Sequence, residues 1–314
     1  MSDPRSWNLW HGCRKYSEGC QNCYVYFLDD MRGVEDSPSV VRRTGSFDRP
    51  VQRDRDGNYK VPAGYELSVN RTSDTFIEDA DGWRDEMWDM IRARPDVVFN
   101  LLTKRVGRIA ECLPDDWENG YDNVVLNITC ENQRAFDERW PIFSGIPAKH
   151  KGMNLAPLLG PIDLTPALES GQIEAVATCG EAFGGNRPCR YEWLRRISDD
   201  CARYRVNVSI GPVGDLFYRN GFPYRFKTMH EQAVYAYNLG LSRFFFRPRI
   251  DLYDPIDGHY LTGSERLEPQ YNLARCRRCT RMELCMGCVD CGSCREVKLI
   301  GYDEMMELRA GDFP

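Results

Sequence analysis

The chain has 314 residues, a net charge of −6 and 42% hydrophobic residues, which is the composition of an ordinary globular protein. This length suits one large α/β domain with an appendage, or two domains, and the acidic balance argues against a generally basic nucleic-acid binder. No apolar run approaches the roughly 20 residues that span a bilayer, and the start of the chain lacks the pattern of a signal peptide. We therefore expect a cytoplasmic protein with no membrane partner.

Three cysteines follow the predicted first strand, WNLW. Cys13, Cys20 and Cys23 are spaced C-x6-C-x2-C in one loop that leads into a helical pattern. A structural zinc site normally has four protein ligands, whereas a [4Fe–4S] cluster held by three cysteines keeps one iron free for a small molecule. Three thiols in one loop therefore favour a working cluster. The alternative is a zinc site completed by His11 or by a distant cysteine.

Residues 33–62 form a polar insertion before the main series of strands. Clustered arginines suit phosphate contacts, but nearby aspartates favour a solvated loop whose charges balance. The five arginines concerned are Arg42, Arg43, Arg49, Arg53 and Arg55.

From residue 65 onward, short apolar runs alternate with helical patterns. The runs are rich in valine, isoleucine and leucine, as buried parallel strands are, and they lie at 65–69, 96–102, 123–129, 151–156, 173–178 and 205–210. Amphipathic helices are predicted at 79–94, beginning with capping aspartates, and at 189–204. About seven β–α units result. They predict an α/β fold, a full or partial parallel (β/α) barrel, with a doubly wound open sheet as the main rival.

Polar residues recur directly after these predicted strands. In a barrel they would point to the mouth, because the carboxyl ends of the strands converge there. They are Ser73, Asp74, Lys104, Glu131, Asn132 and Glu181. Any of them could instead cap a helix, Asp74 especially. The four histidines are scattered and indicate no histidine-based triad.

A second, denser group of cysteines lies near the end of the chain. It comprises Cys276, Cys279, Cys285, Cys288, Cys291 and Cys294. Clustered thiols in a cytoplasmic protein indicate metal binding, and the spacing favours an auxiliary iron–sulfur cluster, with zinc as the alternative. We therefore divide the chain into a barrel domain at 1–221 and a C-terminal extension at 222–314, with the Cys-rich region at 276–294. The remaining cysteines are expected to be small buried hydrophobes: Cys112, Cys130, Cys179, Cys189 and Cys201.

Long blocks of residues 7–220 resemble the phage and bacterial three-Cys-motif proteins, a radical-SAM-like family of largely unassigned function. The resemblance is carried by WHGCRKYSEGCQNCYVY, KVPAGYELSVNRTSDTFIEDADGWRDEMWDMI, NLLTKR, LPDDWENGYDNVVLNITCENQ, PIFSGIPAKH and PLLGPIDL, in this order. It implies a partial barrel of the radical SAM type, a [4Fe–4S] cluster on Cys13, Cys20 and Cys23, and S-adenosylmethionine bound at the open iron. The positions implied to serve this cofactor are Ser73, Asp74, Lys104, Arg105, Glu131, Asn132, Gln133 and Glu181.

The chain also departs from the pattern that the resemblance implies. Radical SAM enzymes usually space these cysteines C-x3-C-x2-C, so the first gap here is three residues longer. Three further departures at strand ends point to a different substrate: Leu155-Ala156-Pro157, Cys179-Gly180-Glu181 and Gly211-Pro212. The Cys-rich tail is broadly similar to the auxiliary-cluster extensions of some radical SAM enzymes.

The leading functional hypothesis is a radical SAM enzyme of isomerase or lyase type. Its substrate would be a nucleic acid or nucleotide, such as a modified thymidine in phage-type DNA, and its electron donor a reductase or flavodoxin-type protein. A peptide or amino acid substrate is an alternative, as is a cluster-bearing DNA repair protein akin to the photoproduct lyases. A non-catalytic zinc-binding interaction module is the alternative from another class.

Overall fold

Seven parallel strands form the central sheet, and they lie side by side in chain order. The computed structural model describes residues 5–34, 36, 39–184, 187–246, 248–269 and 299–301. Its strands are β1 (Ser6–Trp7), β2 (Trp10–His11), β3 (Arg42–Arg43), β4 (Glu66–Val69), β5 (Val98–Thr103), β6 (Val124–Thr129), β7 (His150–Leu155), β8 (Ala175–Thr178), β9 (Cys189–Arg190), β10 (Asn207–Ile210), β11 (Leu216–Arg219), β12 (Phe222–Arg225), β13 (Tyr253–Asp254), β14 (His259–Tyr260), β15 (Leu267–Pro269) and β16 (Leu299–Gly301). The helices are α1 (Tyr24–Met31), α2 (Arg84–Arg92), α3 (Ile109–Cys112), α4 (Gln133–Ser144), α5 (Thr165–Glu169), α6 (Tyr191–Arg203) and α7 (Met229–Asn238).

The order of the central sheet is β1-β4-β5-β6-β7-β8-β10, and every neighbouring pair is parallel. A doubly wound sheet reverses its strand order at a switch point. This sheet has no reversal, so the predicted series of consecutive β–α units and the α/β class are confirmed. Within the described part of the chain β1 and β10 do not pair with each other, and the sheet is open at both edges.

The helices cover the sheet with the apolar faces that their periodicity predicts. In α2, Met87 and Ile91 are fully buried, and in α6 Leu194 and Ile197 are almost fully buried. Burying each such side chain contributes about 1.5–3 kcal/mol. The predicted aspartate cap of α2 is wrong, because a 3-10 helix at Glu78–Trp83 runs directly into it.

The chain that follows α7 packs against the amino edge of the sheet, which is the end at which the parallel strands begin. The carboxyl edge is the opposite end, at which these strands finish. Ile250 and Leu252 form a small apolar cluster with Val98 at the start of β5. The backbone N–H of Tyr253 donates to the carbonyl of Pro95 at 3.1 Å. This edge is therefore covered by a later part of the chain.

Most of the scattered cysteines are buried, and the arginines of the polar insertion bind other groups of the chain. The prediction of buried thiols is confirmed for Cys112, Cys130, Cys189 and Cys201, whereas Cys179 is half-buried. In the insertion, Arg42 pairs with Asp36, and other arginines bind Glu86 or backbone carbonyls.

No helix in the described ranges combines the length and apolar character needed to cross a membrane.

Candidate functional site

The loop that carries the first three cysteines lies over the carboxyl edge of the sheet, between β2 and α1. Cys13, Cys20 and Cys23 are each half-buried, and none forms a disulfide. Cys20 ends a 3-10 turn, and Cys23 directly precedes the first turn of α1. The positive end of a helix dipole favours an anionic sulfur at such a position.

The three thiols are close enough to influence one another electrostatically. The pKa of Cys13 rises to about 12, mainly through burial and the nearby carboxylate of Asp74, and Arg105 acts in the opposite direction. Burial also raises the pKa of Cys23, against the effect of Lys104. Two cations thus lie where they would stabilise deprotonated sulfur.

Side chains from several strand ends fasten this cysteine loop to the sheet. Ser73 Oγ donates to the carbonyl of Gly12 at 2.5 Å, and Arg105 Nη2 donates to the carbonyl of Arg14 at 3.1 Å. Glu131 Oε1 accepts the backbone N–H of Gly19 at 3.2 Å. The sequence therefore predicted three residues that contact the loop directly.

Asp74 joins the end of β4 to the end of β5. Its carboxylate accepts from Thr103 Oγ1 at 2.6 Å and from the N–H groups of Lys104 and Phe76, both at 2.9 Å. Arg105 lies 3.4 Å away. Asp74 caps no helix here; it fixes the cationic pair 104–105 beside the cysteine loop.

Glu131 forms a buried ion pair with Arg139 of α4, with Oε2 and Nη1 2.7 Å apart. Burial by itself would raise the pKa of Glu131, but the bonds to Arg139 outweigh it and lower the pKa to about 2. A Cβ at Gly19 would lie 3.0 Å from the carboxyl carbon of Glu131. The loop can lie this close to the carboxylate because residue 19 has no side chain.

Glu181 connects the loop after β8 to the cysteine loop. Its buried carboxylate binds Arg187 through two oxygens and accepts from Asn22 Nδ2 at 3.1 Å. Arg187 also donates to the carbonyl of Glu18 at 3.1 Å. Glu181, a predicted site residue, therefore attaches the cysteine loop at another point, near Asn22.

Two predicted residues at the start of α4 have other partners. Asn132 is the helix cap, accepting from the N–H of Ala135 at 2.9 Å, and it also donates to Glu18 at 3.0 Å. Gln133 binds Asp137 and the N–H of Asp163. The structure therefore brings Asn132 to the cysteine loop but directs Gln133 elsewhere.

Lys104 places a cation beside the cysteine loop at the carboxyl edge of the sheet. It is half-buried, and within the described residues its ammonium has no hydrogen-bond or ion-pair partner. It lies near Cys23, Cys130 and Glu131, since it affects the pKa of each. Such a cation suits an anionic group of a ligand.

An open pocket of about 220 Å³ adjoins Cys23. Its apolar lining includes Phe27 and Phe183, whose ring centroids are 5.3 Å apart. Phe183 has φ of 63°, which is uncommon for a bulky residue and holds its ring against α1. The amide side chains of Gln21 and Asn22 supply polar groups at the same pocket.

Sequence reasoning missed several residues of this site. Arg139 and Arg187 carried no signal, because each pairs with its glutamate only after folding. Phe183 lies within CGEAFGG, where the following glycines indicated a turn but not a ring beside the cysteines.

The first cysteine group lies within the described residues, and the second group does not. In the described ranges no group of three or more Cys, His, Asp or Glu side chains is placed to hold a metal ion. His11, one of the two alternatives for completing a zinc site, is hydrogen-bonded to Asp29 at 2.9 Å. The predicted ligands of the tail all lie outside the described residues: Cys276, Cys279, Cys285, Cys288, Cys291 and Cys294.

A family model described as a protein of unknown function, DUF5131, matches residues 3–230, more than two thirds of the chain. The chain belongs to the DUF5131 family. The family match covers the whole central sheet and the cysteine loop of this DUF5131 protein and ends in α7. No curated protein and no solved structure matches the chain.

Proposed function

We propose that this DUF5131 protein is a radical SAM enzyme with a partial (β/α) barrel, whose [4Fe–4S] cluster is held by Cys13, Cys20 and Cys23. The observation that carries the proposal is the placement of these three half-buried thiols in one loop over the carboxyl edge of a parallel sheet. In parallel α/β barrels this edge carries the chemistry.

The donor set fits a cluster better than a single zinc ion. All ligands of one zinc ion must lie about 2.0–2.3 Å from the same point. In an iron–sulfur cluster each thiolate ligates a different iron, so the sulfurs stay further apart. The cysteine loop supplies three thiols, the number that leaves one iron of a [4Fe–4S] cluster open, whereas a structural zinc site takes four protein ligands.

When bound, the cluster and S-adenosylmethionine would supply one electron and a 5′-deoxyadenosyl radical that abstracts a hydrogen atom from the substrate. The residues of the chain would position and shield these groups. Lys104 would bind a carboxylate of the cofactor, with its backbone held by Asp74. Arg105 and Glu131 would keep the cysteine loop over the sheet, and Glu181 would hold its far side.

The substrate class that we favour is a nucleobase, and the reaction an isomerisation or lysis. The support is the pocket beside Cys23, where Phe27 and Phe183 offer apolar faces and Gln21 and Asn22 offer donors and acceptors. Planar heterocycles are bound by such combinations of stacking and edge contacts. The arginines of the insertion add no support, because four of the five already have partners within the chain.

The first test is iron and zinc analysis of anaerobically purified protein, together with an assay for 5′-deoxyadenosine formed from S-adenosylmethionine under reducing conditions. We expect a brown protein with broad absorption near about 400 nm, as iron–sulfur proteins have. Replacing Cys13, Cys20 and Cys23 with alanine should abolish product formation. The matched control is Cys112→Ala, a cysteine of α3 outside the loop, which should keep its iron and its product.

A colourless, zinc-loaded protein would instead support the interaction module and contradict the proposal. Undiminished deoxyadenosine formation by the triple variant would do the same. The tail is tested separately: Cys285→Ala with Cys288→Ala should lower the iron content while some cleavage of S-adenosylmethionine persists. If neither changes, the tail holds no auxiliary cluster.

A further inference from the structure

The β11–β12 hairpin is an exposed, basic and aromatic element in an otherwise acidic protein. Its two-residue turn is Asn220-Gly221, with φ of 53° and 79°, as tight hairpins require. Residues 216–227, LFYRNGFPYRFK, contain three basic residues, no acidic residue and five aromatic rings, of which Phe217 is fully buried and the other four are exposed or half-buried. The whole chain, in contrast, carries a net charge of −6.

The outer strand of this hairpin is unusually exposed. β12 is the edge of the small sheet β12-β11-β9, and all four of its residues are exposed to solvent. Phe222 is 69% exposed, beside the turn. Tyr224, two residues along the same strand, is 39% exposed, so the two rings form an exposed aromatic patch on one face, and contiguous apolar patches mark interaction sites.

The basic groups lie among the rings. Arg219 is paired with Phe222 across the hairpin, so their side chains lie on the same face. On the other face, Arg190 of β9 places its guanidinium 5.0 Å from the centre of the Tyr218 ring. Alternating rings and cations are the combination that binds single-stranded nucleic acid, through base stacking and phosphate contacts.

The base of the hairpin is attached to the rim of the candidate site. Asp215, which directly precedes β11, donates its N–H to the carbonyl of Glu181 at 2.8 Å. Its carboxylate accepts the N–H of Gly184 at 2.6 Å, and Gly184 lines the pocket beside Cys23. A four-residue strand extends about 13 Å, so a bound strand could pass from the hairpin to the pocket within a few nucleotides.

We propose that the β11–β12 hairpin is the docking surface for a single strand of DNA whose target base enters the pocket beside Cys23. Phe222 stacks on an unpaired base on one face of β12. Arg225, which pairs with Leu216 and therefore lies on the other face, contacts a phosphate where the bound strand crosses this exposed edge, and Lys227 contacts another. A single strand is chosen because enzymes that act on a base must take it out of the duplex, and a stacking platform binds unpaired bases. The choice of DNA as the nucleic acid rests on the proposed function. The assignment of the hairpin as a docking surface does not rest on it.

The test is fluorescence anisotropy of a labelled 20-nucleotide poly-dT strand with the full chain, without S-adenosylmethionine or reductant. We expect Phe222→Ala to weaken binding about fivefold or more, the loss typical of one stacked base. Arg225→Ala should lower the slope of log affinity against log salt by about 0.7, the value for one phosphate contact on a single strand. Duplex DNA of the same length should bind more weakly than the single strand.

The β13–β14 hairpin and the segment just before it provide matched controls. Tyr260 is 68% exposed but has Asp254 and Asp257 near it, and Arg249 is an exposed arginine paired with Asp251. Tyr260→Ala and Arg249→Ala should bind poly-dT like the unchanged protein.

Three results would overturn the docking surface: no binding by the unchanged protein, equal binding by Phe222→Ala and Tyr260→Ala, or equal affinity for RNA, DNA and duplex. Circular dichroism establishes that each variant is folded. Because the assay uses neither cofactor nor electron donor, it can fail while deoxyadenosine is still formed, and the reverse also holds. The two proposals are therefore tested independently.

Discussion

The two edges of the central sheet use buried charge in different ways. At the amino edge, Arg94 is fully buried and all its bonds are internal: it binds Asp96 through two nitrogens and donates to the carbonyls of Pro50 and Val61. The later chain around Leu252 covers that edge. At the carboxyl edge, ion pairs also occur, but they surround half-buried thiols and an open pocket.

The difference separates residues that hold the fold from residues that hold a ligand. A fully buried arginine whose guanidinium is held by Asp96 and two backbone carbonyls is not accessible to a ligand. Lys104, on the opposite edge, has a half-buried ammonium with no partner within the described residues. We therefore expect changes at the amino edge to alter stability alone, and changes at the carboxyl edge to alter binding alone or both.

The largest expected effect on stability is that of Arg94→Ala at the amino edge. It leaves Asp96 as a buried carboxylate without its partner, which costs about 3–5 kcal/mol in the free energy of unfolding. Urea denaturation measures the change, with the exposed pair variant Arg249→Ala as the control. A loss no larger than that of the control would show that this edge does not depend on the pair.

Glu131→Gln, at the carboxyl edge, should affect both stability and metal content. The folded pKa of Glu131, about 2, lies below its ordinary value of 4.5, so its stabilisation is present above pH 4.5 and is lost as the pH falls toward 2. The shift corresponds to about 3 kcal/mol. Urea unfolding from pH 6 to pH 2.5 should therefore show a smaller acid loss for the variant. Iron content should also fall, since the tie to Gly19 is weakened.

Lys151→Met probes the amino edge at alkaline pH. The Lys151 ammonium is buried against the carbonyl of Phe143 and the side chain of Gln172, and burial lowers its pKa from 10.5 to about 8. The unfolded chain binds the extra proton between these values, so stability should rise from pH 8 to pH 10.5 by about 2–3 kcal/mol. The variant should lack that rise. A rise of the same size in the variant would assign it to other groups.

Lys104→Ala should have the smallest effect on stability and the clearest effect on ligand binding. Because the ammonium has no partner among the residues that the structure describes, the free energy of unfolding should change by less than about 0.5 kcal/mol. Binding of S-adenosylmethionine to the cluster-loaded protein, measured by calorimetry, should weaken at least about tenfold. Unchanged binding would show that Lys104 is not part of the cofactor site. It would also contradict the expected difference in ligand binding between the two edges.

The sequence predicted the elements of the sheet well because apolar runs are local signals. The runs at 123–129 and 205–210 became β6 and β10 with small changes at their ends. It also placed Ser73, Asp74, Glu131 and Glu181 at one edge, since the ends of consecutive parallel strands meet there. The helix cap of α2 failed because a 3-10 turn precedes it.

The partners of those residues lay beyond prediction. Arg139 lies within a helix and Arg187 in a loop, and only folding brings each to its glutamate. The β11–β12 hairpin did leave a signal, Asn220-Gly221 between aromatic residues, which is the usual mark of a tight hairpin. The exposure of its outer strand depends on its edge position, which no local pattern reveals.

The contact between Gly19 and Glu131 has a consequence for how this loop can vary among relatives. The loop of six residues between Cys13 and Cys20 reaches from the end of β2 to the end of β6, where the backbone of Gly19 binds Glu131. A side chain at position 19 would displace that carboxylate, so the six-residue loop and its glycine serve the same contact. Loop length, Gly19 and the Glu131–Arg139 pair should therefore be inherited together, so that a homologue with a shorter loop lacks the glycine and the pair as well.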